Sequence, residues 1–289
     1  MRSPSAARDP LAARAEELVG RIKEVAAKPK PRAVHQLRTT IRRVETLISA
    51  SEAEPSRAAR KLQKQLDRIR QRAGKVRDAD VHLTALATLA RMSNPESFAE
   101  IRSALEKSRM KREKKLRRVL DDERDRGIVK RLRRVVGRAV GDVTVLVGDV
   151  ARVLVRFDHA LTAATPLGAT SLHAFRIETK RLRYLAEVAP GPEAARAVKQ
   201  LKRVQDAIGA WHDWLTLAER AARALGDEPS APMLAVIRTR ADAQLAKALT
   251  VTADVGRRLQ SLRPKAQRKG VHPVTTATPV MPQSAGASA

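Results

Sequence analysis

The chain has no cysteine, one tyrosine, two tryptophans and three phenylalanines among its 289 residues. Without cysteine there are neither disulfides nor thiolate metal sites, which fits a reducing compartment. An aromatic fraction of 2% leaves the core to Leu, Val, Ile and Ala, and a hydrophobic fraction of 43% supplies enough of them for a sizeable one. No stretch alternates with period two, so strands are not expected. There is no glycine-rich phosphate loop, no serine-nucleophile context and no convincing carboxylate pair; the chain is read as non-enzymatic, without a cofactor. No long apolar run is free of charge. The most hydrophobic span, Val135 to Phe157, contains Arg138, Asp142, Asp149, Arg152 and Arg156 and is read as a core helix, not a membrane span. Arg8 and Asp9 precede any apolar run, so the N-terminus does not read as a signal peptide. A cytoplasmic protein is expected.

Acid is also scarce. Lys and Arg number 58 against 31 Asp and Glu, a formal charge of +27 that repels itself in a compact state unless a polyanion or salt answers it. The excess is localised. Segments 32–43, 60–77, 107–138, 173–183 and 196–203 together carry +28, so the rest of the chain is close to neutral.

Two of those segments are copies of one pattern. His35-Gln-Leu-Arg-Thr-Thr-Ile-Arg-Arg returns as His173-Ala-Phe-Arg-Ile-Glu-Thr-Lys-Arg, and each copy carries an apolar seam at helical spacing. The seams are Val34, Leu37, Ile41, Val44 and Ile48, then Leu172, Phe175, Thr179, Leu182 and Ala186. Beside each runs a stripe without acid: His35, Arg38 and Arg42 in one, His173, Arg176 and Lys180 in the other. The repeat continues. Lys64-Gln-Leu-Asp-Arg68 and Gly74-x-x-x-Asp78 are echoed by Lys199-Gln-Leu-Lys-Arg203 and Gly209-x-x-x-Asp213. The 15 prolines avoid the periodic segments and mark boundaries. Helices are predicted over 10–27, 32–50, 56–74, 77–91, 96–124, 128–162, 170–189, 192–209, 212–226 and 230–262. Ser56, Ser97 with Glu100, and Ser171 serve as start signals. The fold class is all-α: two helical bundles related by a pseudo-twofold axis, from an internal duplication. The domain spans 10–263, with halves of about 10–162 and 170–263, between a disordered N-terminus (1–9) and a disordered tail (264–289).

The motif His-x-x-Arg-x-x-x-Arg-Arg at 35–43, its relative His-x-x-Arg-x-x-x-Lys-Arg-Leu-Arg-Tyr at 173–184, and the basic helix with Gly-x-x-x-Asp that follows each resemble the CHAD family, the conserved-histidine α-helical domains. The resemblance covers roughly 30–262. It implies a duplicated helical fold that binds inorganic polyphosphate on a basic central surface, often at polyphosphate granules. Carried onto this sequence, it points to His35, Arg38, Arg42, Arg43, His173, Arg176, Lys180, Arg181 and Arg183. Lys64, Arg68, Lys199, Lys202 and Arg203 join them from the adjacent basic helices. Glu45 stands where the second copy has Arg183, and Asp67 where it has Lys202, so the first half is the less basic copy. Some relatives fuse this module to a triphosphate-hydrolysing tunnel domain; no Glu-x-Glu-x-Lys strand precedes it here, and a stand-alone binding module is expected.

Physical chemistry supports such a ligand independently. A linear polyanion without bases offers no pattern to read, so its receptor needs many Lys and Arg donors along a groove. Nucleic acid is the alternative partner; single strands favour stacking platforms, and six aromatic residues provide few, whereas duplex DNA needs phosphate contacts alone. Other readings exist for several features. His35 and His173 could be buried hydrogen-bonding residues, and the 107–138 block could be a solvated face with its acids in salt bridges. Arg77-Asp78-Ala-Asp80 with His82, echoed by His212-Asp213, could suggest metal ligands, but the spacing does not converge, and an Asp that caps a helix and pairs with Arg77 fits better.

Overall fold

The structure, a computed structural model, describes residues 10–51, 55–91, 94–139, 150–187, 189–226 and 231–262. The predicted disordered segments 1–9 and 264–289 lie outside the described residues. Among the described residues there are nine helices and no strand: α1 (Pro10–Ala27), α2 (Pro31–Ser51), α3 (Arg57–Ala87), α4 (Pro95–Asp125), α5 (Ile128–Ala139), α6 (Val150–Ala164), α7 (Ala169–Ala186), α8 (Pro192–Ala224) and α9 (Pro232–Ser261). Five of them begin at a proline, whose fixed φ suits the first helical position and whose missing N–H is not needed there. Ser56 caps α3, its hydroxyl accepting from Ala59 N at 3.2 Å.

Two start signals are displaced. Asn94, not Ser97, caps α4 by accepting from Glu96 N at 2.9 Å, because Pro95 takes the first helical position. Ser171 lies inside α7, where its hydroxyl accepts from Gly168 N at 3.0 Å. Two predicted helix breaks are absent. The expected pairs 56–74/77–91 and 192–209/212–226 are the single long helices α3 and α8, with Gly74 and Gly209 in their interiors. One interior glycine costs about 1 kcal/mol, and the burial of Ala73, Val76 and Ala79 on α3, and of Ile208 and Trp211 on α8, outweighs it. The predicted helix 128–162 is described as α5 and α6; residues 140–149 lie outside the described residues.

Both predicted seams are core. Val34, Leu37, Ile41, Val44 and Ile48 are at most 1% exposed and pack with α1, α3, α4 and α5. Leu172, Phe175, Thr179, Leu182 and Ala186 are buried; the apolar ones pack with α6, α8 and α9. Phe157 meets Phe175 edge to face, with centroids 5.6 Å apart. A third core, not anticipated from sequence, joins the halves. Leu86 and Leu89, at the end of α3 and just beyond it, and Ile101 and Leu105 of α4 pack against Leu217, Ala221, Leu234 and Ile237 of α8 and α9. The long helices thus clamp the halves together at one end, and α2 lies against α7.

Candidate functional site: a shared cationic cluster

Once the seams of α2 and α7 turn into separate cores, the stripes beside them come together where the halves meet. Arg38 and Arg42 of α2 and Arg176 and Lys180 of α7 are close enough to perturb one another electrostatically. Each arginine pair is placed by a repeated device. The Arg38 guanidinium lies over Gly74 of α3, where a Cβ would stand 3.5 Å from its Nε, and Arg176 lies over Gly209 of α8 at 3.9 Å. One turn further along each long helix an aspartate faces the guanidinium: Asp78 Oδ1 is 4.0 Å from Arg38 Nη1, and Asp213 lies near Arg176. The glycines therefore lie beneath these guanidiniums inside continuous helices and do not terminate them. Asp78 and Asp213 lie inside helices, so they do not cap, and the expected pairing of Asp78 with Arg77 gives way to the contact with Arg38.

Charge in this cluster is under-compensated. Among the described residues Arg42, Arg176 and Lys180 form no hydrogen bond or ion pair, and the buried Nε atoms of Arg38 and Arg176 lack partners. Burial, followed by the charges of Arg176, Arg42 and Arg38, pushes the Lys180 ammonium down to about 6. Burial and Arg38 bring Arg42 down to about 10. Desolvation is also the main cause that lowers Arg176 and raises Asp213. His35 is held below its ordinary value by partial burial and by Arg77, Arg38 and Arg183. His173 stacks near His212, centroids 5.4 Å apart, and burial with Arg176 lowers His212 to about 4. From the cluster an open pocket of 610 Å³ extends between α2, α3 and α7, flanked by Arg42, Arg70, Arg156, Lys180 and Arg181, with Tyr184 and Leu185 among its apolar lining.

Several sequence-predicted cations have acidic partners or stand away from the cluster. Arg43 donates to Glu187 at 2.8 Å and ties α2 to the end of α7. Arg183 donates to Glu187 and to Gln205 and lies 4.5 Å over the Tyr184 ring. Arg181 pairs with Glu178 at 3.5 Å, Lys202 with Asp206 at 2.5 Å and Arg203 with Asp254 at 3.0 Å, while Lys199 is exposed. Lys64 and Arg68 point to a separate groove toward α4 and α5. The 107–138 block matches its blander reading in part: Arg109 and Arg117 pair with Glu113, and Arg124 with Asp121. Asp80 pairs with Arg109 at 2.7 Å, and His82, pushed down to about 3 chiefly by burial, contacts Thr216 at 2.9 Å.

Sequence reasoning named Arg77 and His212 only under the metal-ligand alternative and left both out of the anion site, whereas the Arg77 charge acts on His35 and the His212 ring lies against His173; Arg112, whose charge acts on His82, went unnoticed. The place of Arg77 beside the site was findable, since it follows Gly74 by three residues on one continuous helix; the break assumed at Gly74 separated it from the basic stripe. Arg112 carried no distinguishing signal within a block of fifteen bases.

An all-α module whose two halves present one partly buried cationic cluster is thus defined by geometry. The chain belongs to the CHAD-domain family, whose model matches residues 10–222. Its fold is similar to the crystal structure of the CHAD domain from the plant Ricinus communis, at 20% identity over 87% of this chain and 88% of that one, with a TM-score of 0.63. It is also similar to PptA from Streptomyces chartreusis, at 15% identity over 87% and 96% of the two chains, with a TM-score of 0.60. No curated protein matches the chain. The CHAD family is associated with polyphosphate binding and with triphosphate-tunnel partners.

Proposed function

We propose that the chain binds inorganic polyphosphate along the α2/α7 cluster, as a non-catalytic module at polyphosphate granules. One observation carries this reading: Arg38, Arg42, Arg176 and Lys180 converge from both halves with a single long ion pair, Arg38 to Asp78, among them. Packing cations together without partners costs stability, and a flexible polyanion repays it by many charge-assisted hydrogen bonds. The aromatic residues favour this ligand over single-stranded nucleic acid. Phe157, Phe175, Tyr184 and Trp211 are buried and unavailable for base stacking. No helix among the described residues is long and apolar enough to cross a membrane.

Thermal unfolding with and without long-chain polyphosphate tests the proposal. Ligand at a hundred times its dissociation constant adds about 2.7 kcal/mol. An unchanged melting temperature at low salt refutes it, as does duplex DNA displacing polyphosphate at equal phosphate concentration. Release of orthophosphate in the presence of divalent ions would overturn the non-catalytic part.

A further inference from the structure

We propose that the groove between α3, α4 and α5 is a second phosphate-chain site, so that one molecule holds polyphosphate at two places and bridges long chains. The inference rests on the polyphosphate reading above but on different residues. Lys61, Lys64, Gln65, Arg68, Arg126 and Arg131 line an open groove of 380 Å³, and none of them lines the central pocket. The two sites use different faces of one helix. At 3.6 residues per turn, Lys61, Lys64 and Arg68 lie about 120° around α3 from Gln63, Asp67, Arg70 and Gly74, which face α2 and the central cluster.

The groove is built, not merely charged. The buried Glu123 carboxylate, 2% exposed, accepts from Arg68 Nη1 at 3.0 Å and from Gln65 Nε2 at 2.6 Å, and Arg126 Nη1 stands 3.9 Å away. Gln65 in turn accepts from Arg131. One carboxylate and one amide thereby fix three guanidinium groups around the groove and leave donors free, while Lys61 and Lys64 stand exposed at its edge, without ion pairs among the described residues. Five cations against one carboxylate leave the groove strongly positive. Fixed arginine donors suit the non-bridging oxygens of a phosphate chain and cost little ordering on binding. The corresponding cation of the second half, Arg203, is instead drawn to Asp254 of α9. The extra site therefore belongs to the first half.

Two anion sites on different faces of one helix, with no lining residue in common, are not both filled by one short ligand, but separate short chains fill both and long chains link molecules. The test is calorimetric titration of the full chain with tripolyphosphate at physiological salt, together with light scattering on mixing with long-chain polyphosphate. Wild type is expected to bind two tripolyphosphates and to scatter strongly. Lys61→Glu with Lys64→Glu is expected to bind one, and to scatter at least fivefold less at an unchanged melting temperature; Lys61→Gln with Lys64→Gln gives a smaller loss in the same direction. One tripolyphosphate per wild-type chain, or a double charge reversal with unaltered stoichiometry and scattering, overturns the second site. Either result leaves the central cluster standing; loss of the central reading shows instead as Arg38→Glu with Arg176→Glu retaining wild-type affinity at the tighter site.

Discussion

Raising the pH from 7 to 9 is expected to weaken polyphosphate binding at the central cluster by about a hundredfold, and Lys180 is the reason. Its ammonium lies among Arg38 and Arg42 of α2 and Arg176 of α7, with Asp213 of α8 as the opposing charge, and burial with those arginines holds it near 6. In the free protein at pH 7 this lysine is mostly neutral. A phosphate chain laid across the cluster favours the ammonium, so binding draws a proton from solvent. Where the complex holds one proton more than the free protein, each pH unit costs a factor of ten in affinity, about 1.4 kcal/mol. Affinity is therefore greatest near pH 6 and below, where the free lysine is already charged, and falls through 7 to 9. His35 and His212, both lowered, add to the uptake toward the acid end of the window. Stability of the free protein runs the other way. Between about 6 and the ordinary 10.5 the unfolded chain binds more protons at this lysine than the folded one, so the unliganded protein gains stability as pH rises. Calorimetry in buffers of different ionisation enthalpy reads affinity and proton uptake together, and Lys180→Arg, which keeps its charge, should bind with a nearly flat profile from pH 7 to 9. An affinity at pH 9 within threefold of that at pH 7, or a Lys180→Arg slope equal to wild type, refutes the reasoning.

Three further outcomes follow from the same geometry. At Gly74 a Cβ meets Arg38 at ordinary van der Waals distance, so Gly74→Ala should stabilise α3 by about 0.5–1 kcal/mol and keep binding, whereas Gly74→Leu should displace the guanidinium and weaken binding at least tenfold in the same titration. Arg42→Met should raise the melting temperature of the free protein, by about 1 kcal/mol in stability, while lowering polyphosphate affinity, because it removes a desolvated cation that has no ion pair. Glu123→Ala leaves Gln65 without its buried acceptor and Arg68 without its carboxylate; urea unfolding should show a loss of about 1–3 kcal/mol.

The sequence disclosed the helices and both seams because their periodicity is a direct image of burial. Pro31, Pro95, Pro192 and Pro232 fall where helices start, and each seam from Val34 to Ile48 and from Leu172 to Ala186 is core as expected. Gly74 and Gly209 misled for a physical reason. A glycine in a periodic pattern signals either a stop or a close approach, and what distinguishes them is the partner side chain, here Arg38 or Arg176, which lies far away in sequence. The third core was equally invisible: Leu86 and Leu217 have no local mark saying that they face each other across the two halves.

Which basic residues belong to the site is a question of pairing, and charge counting does not reach it. Arg38 and Arg43 stand five residues apart on one helix and look equivalent in the motif, yet Arg43 closes on Glu187 at 2.8 Å while Arg38 reaches Asp78 only at 4.0 Å. Arg183 is absorbed by Glu187, Gln205 and the Tyr184 face, whereas Lys180, three residues earlier, has no hydrogen-bonding or ion-pairing partner among the described residues. A cation whose donors are taken up by its partners, as those of Arg183 are by Glu187 and Gln205, would have to surrender those contacts to bind phosphate, and gains little net energy from doing so. A cation held by packing over glycine, with its aspartate kept one turn away, stays placed and unneutralised. The acids of this chain are thus as informative as its bases: Glu187 and Asp254 tie Arg43, Arg183 and Arg203 into the frame, whereas Arg38, Arg42 and Arg176 keep their charge, and Lys180 its capacity to take up a proton, because no carboxylate closes on them.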